Sequence, residues 1–243
     1  MIEAGLWGLF AGSSLLIGAV AGYLLPVSKH AIALVMAFGA GVLISAVAFE
    51  LTQEAYGLGG GDAVALGLGA GALVFFAGDW YIDHQGGAMR KRAGPEQSEG
   101  NAKAIAFGAA LDGVPESAAI GLTLLEGGAV SAALVGAVFL SNVPEALSSA
   151  SGSKHAGRSL GSVLVQWAGI AVLSGIAAAL GFQLLDGASD NVIAWTQAFA
   201  GGAVLCMLAD TMMPQAFEDY DRRPAVGLIT VLGFAVAFLL STV

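Results

Sequence analysis

Eight apolar runs limit what this chain can become. They cover residues 4–25, 31–53, 62–82, 103–125, 129–150, 160–182, 191–213 and 224–242. Each is close to the ~20 residues an α-helix needs to cross a bilayer. A spanning segment must satisfy its own backbone, so runs of this length are read as helices. The expected fold class is all-α: a polytopic membrane protein of eight transmembrane helices. Composition agrees, with 57% hydrophobic and 11% charged residues against about 25% charged in an ordinary soluble domain. The 36 glycines stand among Leu, Val, Ile and Phe, which suits helices packed closely in lipid rather than a disordered chain. The longest gap, 83–101, is polar and glycine-bearing and reads as a loop. Neither half beside it is self-sufficient, so residues 1–243 are taken as one transmembrane domain.

The charges orient the bundle. Lys29 lies in the first connection; Arg90, Lys91, Arg92 and Lys103 belong to the third. Lys154 and Arg158 lie in the fifth, and Arg222 and Arg223 in the seventh. The even connections carry only acids: Glu54, Asp62, Glu126, Asp186 and Asp190. The positive-inside rule then makes the odd connections cytoplasmic and both termini extracytoplasmic. The first run lacks a basic leader and reads as a retained helix. Cys206, the single cysteine, excludes an intramolecular disulfide and reads as a small packing residue. No basic patch calls for nucleic acid. The lipid bilayer is the expected surrounding, and the composition suits a bacterial inner membrane.

Two strings break the apolar pattern: "DGVPE" at 112–116 and "SNVPE" at 141–145. A carboxylate at mid-membrane costs about 2.5–3.5 kcal/mol on the insertion scale, and no Lys or Arg lies in the interior of a span to pair Asp112, Glu116 or Glu145. Asp112 and Glu116 share a helix face, as do Ser141 and Glu145, and Asn142 stands three before Glu145. Pro115 and Pro144 cannot donate to the carbonyls of Leu111 and Leu140, which frees two backbone oxygens near the glutamates. One such pair is explained by a kink and a protonated, hydrogen-bonded acid. Two pairs in consecutive spans, with a third acid one turn away, point to a cation site of hard oxygen ligands. Broken helices at mid-membrane are the usual form of a transporter site.

These strings resemble the fourth and fifth helices of the ZIP (Zrt-, Irt-like protein) family of divalent-metal transporters, which carries His-Asn-x-Pro-Glu and a related string. Glu116 and Glu145 stand where the family has ligand glutamates. Asp112 and Ser141 stand where it has histidines, Gly113 where it has asparagine, and Asn142 keeps the amide. The resemblance implies eight spans, both ends outside, a long cytoplasmic loop after the third span, a homodimer, and two four-helix bundles alternating access. It implies inward movement of a divalent cation (Zn, Mn, Fe, Co or Cd) held by Asp112, Glu116, Ser141, Asn142 and Glu145. The absent imidazoles make the site harder than the usual zinc site.

The second and seventh spans also resemble that family. "AFGAGVLISAVAFEL" (37–51) and "AFAGGAVLCMLADTM" (198–212) resemble each other, as in internal repeats of transporters. Their acids, Glu50 and Asp210, are candidates for the two mouths of a pathway or for solvated helix ends. Gln166 is an auxiliary ligand candidate or a packing amide. Ser45 reads as core, His155 as a solvated loop residue, and Asp79 with Asp83 as a hydrated helix end. The expected function is metal transport and not enzyme catalysis. An intramembrane hydrolase would need a nucleophile with its base, and no span holds a histidine. The alternative is a proton-coupled carrier of a small organic solute using the same acids as proton sites.

Overall fold

The computed structural model describes residues 1–87, 102–127, 129–218 and 223–241. Among the described residues the structure is helical and has no strand. The elements are α1 (Ile2–Leu24), α2 (Lys29–Ala46), α3 (Glu54–Ile82), α4 (Ala102–Gly127), α5 (Ala132–His155), α6 (Leu160–Leu185), α7 (Asp190–Met207), α8 (Met213–Glu218) and α9 (Arg223–Ser241). π-helical turns join α2 to α3 (Val47–Gln53) and α7 to α8 (Leu208–Met212), and another, Asp83–Gly87, extends α3. Serines start several helices. Ser28, Ser131 and Ser159 accept from the backbone N–H of Ala31, Leu134 and Ser162, satisfying donors that a helix start leaves open.

Among the described residues, five helical runs are long and apolar enough to cross a membrane: Ile2–Leu24, Lys29–Gln85, Ala132–His155, Leu160–Leu185 and Asp190–Phe217. α9 adds a shorter apolar stretch, Ala225–Ser241. α4, with 26 residues, also has the length for a crossing. The run Lys29–Gln85 has 57 residues. The connection expected between 53 and 62 has contracted to one residue, Gly60, whose φ of 71° is left-handed and favours glycine. Of the expected loop at 83–101, residues 83–87 continue the helix, and the rest lies outside the described residues, as do Arg90, Lys91, Arg92 and Arg222.

The closest helix pairings fall into two sets, joined by α2 against α5, by α4 against α7 and by a core drawn from both. In the first, α1 pairs with α5 and α6, and α4 pairs with α6. In the second, α2 pairs with α9, and α3 with α7. Glycine makes these pairings possible, because a Cβ on Gly121 would strike the Ala178 carbonyl, and one on Gly181 that of Ala118. Gly41 and Gly233 stand in the same reciprocal relation to Thr230 and Phe38, and Gly202 and Gly71 to Leu68 and Phe199. Each helix thus offers a carbonyl and, three residues on, a glycine, so the backbones approach close enough for weak Cα–H···O contacts. Phe38 and Gly41 correspond to Phe199 and Gly202 in the two similar strings, so both copies sit in equivalent surroundings. Each string then enters a π-helical turn.

Register gives direction. Gly18 faces Val143 and Gly22 faces Leu147, so α1 and α5 run parallel; Gly5 faces Ala179 and Gly12 faces Ala171, so α1 and α6 run antiparallel. Between the groups, Gly39 and Gly78 first meet side chains instead, the Pro144 ring and Leu111. Leu15, Ala19, Ala109, Ala146, Ala150, Val163, Trp167 and Ile170 form a core within the first group. Outward faces are apolar: Leu66, Leu73, Val165, Leu184 and Leu228 are mostly exposed. Apolar exterior with carboxylates inside inverts the soluble pattern and fits an integral membrane protein.

Candidate functional site

The residues singled out on α4 and α5 are all buried. Asp112 and Glu116 are 1% and 3% exposed; Ser141, Asn142 and Glu145 are 2%, 5% and 6% exposed. A helix with one carboxylate every turn normally turns it to water, so this burial follows from packing, not from local preference. Pro115 and Pro144 lie inside α4 and α5, and both helices continue through them. On α2, Gly39 makes room for the Pro144 ring, whose Cγ lies 2.9 Å from where a Cβ would stand. α1 holds Asn142: its Nδ2 donates to the Ala11 carbonyl at 3.2 Å, which leaves the amide oxygen as the end suited to a cation. Ser141 Oγ donates to Val138 O at 3.0 Å and keeps lone pairs for a ligand.

The two site helices touch each other only lightly, and each leans on α1. Among the described residues, no three His, Cys, Asp or Glu side chains gather as a set that could hold a metal ion. Asp112 and Glu116 on α4, and Ser141, Asn142 and Glu145 on α5, are thus two buried polar sets on two lightly touching helices, not a compact acidic triad.

The other candidates lie elsewhere. Glu50 is half-buried in the first π-helical turn, where its Oε2 accepts from Ser131 Oγ, the residue capping α5. Asp210 is exposed in the second π-helical turn and accepts from Cys206 Sγ at 3.2 Å. Gln166 is half-buried on α6, and its Oε1 accepts from Arg158 Nη2 at 2.8 Å. It serves the α5–α6 turn and is not placed among the α4 and α5 acids. Asp79 corrects an expectation: it is 7% exposed, because α3 carries it into the packing with α7. His155 ends α5, exposed, with Nδ1 donating to Ser151 O.

Sequence reasoning passed over other buried polar residues. Ser148, Ser149, Ser151 and Ser153 of α5 are buried, as are Gln197 of α7 and Gln215 of α8. The signal was present in "SSASGS" (148–153), a polar string ending an apolar span. No protein-family model matches the chain, and no curated protein matches it.

Proposed function

We propose that the protein is a ZIP-like membrane transporter that moves divalent metal cations toward the cytoplasm. The observation that carries this reading is the burial of Asp112, Glu116, Ser141, Asn142 and Glu145 on two proline-bearing helices of a mainly apolar bundle. Such groups are expensive in lipid and are retained where they bind something. Carboxylate, amide and hydroxyl oxygens suit hard or borderline divalent ions. Glu116 and Glu145 bind the cargo in this reading, Asp112 and Asn142 complete its shell, and Ser141 is the weaker ligand. Ligating carboxylates must be deprotonated, so cargo and protons compete and flux falls in acid.

Eight crossings are supported by length. A straight helix of 57 residues would be about 85 Å long, far beyond the ~30 Å hydrocarbon core; Gly60 divides it into two. α4 and α9 complete the count. The parallel α1–α5 and antiparallel α1–α6 pairs fit strict alternation, and the basic residues of the odd connections then face the cytoplasm. The two packing groups suit alternating access, since backbone-to-backbone notches fall within them and side chains meet between them. A homodimer in a bacterial inner membrane belongs to the same reading.

The test is dye-reported uptake of Zn, Mn, Fe, Co and Cd into proteoliposomes holding the purified chain. Flux should exceed empty vesicles for at least one metal, and Glu116→Ala or Glu145→Ala should abolish it while the protein stays monodisperse in detergent. The second reading, a proton-coupled carrier of a small organic solute, draws on the lack of a three-acid set among the described residues. No metal flux, together with solute-dependent proton movement, would favour it.

A further inference from the structure

Positive charge gathers at the C-terminal end of α1, and no ion pair among the described residues neutralises it. Tyr23 Oη donates to the Arg158 carbonyl at 2.8 Å, tying the α5–α6 turn to α1. Lys154 Nζ lies 5.7 Å from the centroid of the Tyr23 ring. The Arg158 guanidinium donates to Ser153 Oγ at 3.3 Å and to Gln166 Oε1 at 2.8 Å, both neutral acceptors. Among the described residues, neither Lys154 nor Arg158 makes an ion pair. Partial burial pulls the guanidinium below its ordinary value, yet arginine keeps its charge in proteins.

An apolar groove of about 530 Å³ runs along the outer face of α1, lined by Leu16, Ile17, Val20, Ala21, Leu24 and Leu25. Its far end is the turn of α1 that carries Tyr23. The apolar groove and the two cations, which make no ion pair among the described residues, share this end of α1, and together they complement an amphiphile with an anionic head. A free anion would have no use for the groove, and a neutral lipid none for the cations.

We propose that this is a binding site for one anionic phospholipid, its phosphate beside Lys154 and Arg158 and an acyl chain along α1. Basic pockets between helices on the cytoplasmic side recognise anionic head groups in this way. The inference rests on the membrane reading above and is independent of the cargo.

The experiment is native mass spectrometry of the purified full chain in neutral detergent with equal phosphatidylglycerol and phosphatidylcholine. Wild type should retain phosphatidylglycerol preferentially. Lys154→Gln, at an exposed position, should lower that preference about fivefold, and adding Arg158→Gln about fivefold again. Should the double variant not fold, the Lys154 variant decides alone. Equal retention of both lipids by wild type, or an unaltered preference in Lys154→Gln, overturns the site. Displacement of the lipid by millimolar inorganic phosphate would also overturn it, since the groove would then contribute nothing. A chain that moves no metal but keeps the lipid preference refutes the cargo and leaves this site standing.

Discussion

Gln215 Nε2 on α8, a helix packed against α2, donates to Ser148 Oγ of α5 at 2.6 Å, and both residues are buried. Ser148 stands three residues past Glu145 on α5, so the bond touches the face beside the candidate site. At the other end of α5, Glu50 grips Ser131 from the second group. The helix that carries half of the candidate site is thus fastened at both ends to elements of the other group. Neutral hydrogen bonds contribute only about 0.5–1.5 kcal/mol net, weak enough to form in one arrangement and break in another.

Ser148→Ala removes the inner fastening with little change in volume. The variant should lose about 0.5–1.5 kcal/mol of stability, read as a lower thermal midpoint in detergent. In the transport reading its flux rate should change while the ranking of metals does not. A variant with wild-type midpoint and wild-type flux would mean that this bond fastens nothing.

Glycine notches set the next expectation. Gly121→Ala and Gly71→Ala each push a methyl group into a facing carbonyl, of Ala178 and Phe199. Overpacking of this kind costs about 1–3 kcal/mol or more. Gly169 is a control: it lies inside α6 with nothing within 4 Å of an added Cβ. Gly169→Ala should be neutral or stabilise by about 0.5–1 kcal/mol. Thermal midpoints by fluorescence-detected size exclusion would separate the two classes, and equal shifts would refute the notch description.

Much of this was legible before any coordinates. Hydropathy gave the helical class because lipid leaves the backbone few choices, and buried acids betrayed themselves by their cost. The likeness of 37–51 to 198–212 anticipated that Gly41 and Gly202 occupy equivalent notches. What escaped was set by neighbours. Gly60 looked like part of a polar connection, but one left-handed residue turns the chain there. Asp79 looked like a frayed end, and its burial depends on α7, which lies more than a hundred residues away in sequence. The partner of Gln166 turned on the α5–α6 turn, where Gly157 takes a φ of 76° and Arg158 folds back over α6. No periodicity carries such a pairing.

Gln166 gives a separable prediction. Its oxygen is committed to Arg158, so Gln166→Leu should act on stability and not on cargo. Hydrogen bonds to charged groups contribute about 1.5–3 kcal/mol, and the thermal midpoint should fall accordingly. The apparent KM for metal should stay within about twofold, since uniform binding would be untouched. A selective rise in KM at an unchanged midpoint would return Gln166 to the cargo shell.

Asp112 offers the sharpest chemical test, because it stands where the ZIP pattern has imidazole. Asp112→His exchanges a hard, charged oxygen ligand for a borderline nitrogen, and imidazole suits zinc while carboxylate suits manganese. The substitution also removes one of three acids from a buried region, so the folded protein should not suffer. Flux of zinc relative to manganese should rise, by about tenfold if the ligand exchange shifts relative binding by about 1.4 kcal/mol. Asp112→Asn separates charge from ligand type: it should slow every metal without reordering them. An Asp112→His protein with wild-type midpoint and wild-type metal ranking would show that the α4 carboxylate one turn before Glu116 faces something other than the cargo, and the site would shrink to the two glutamates and Asn142.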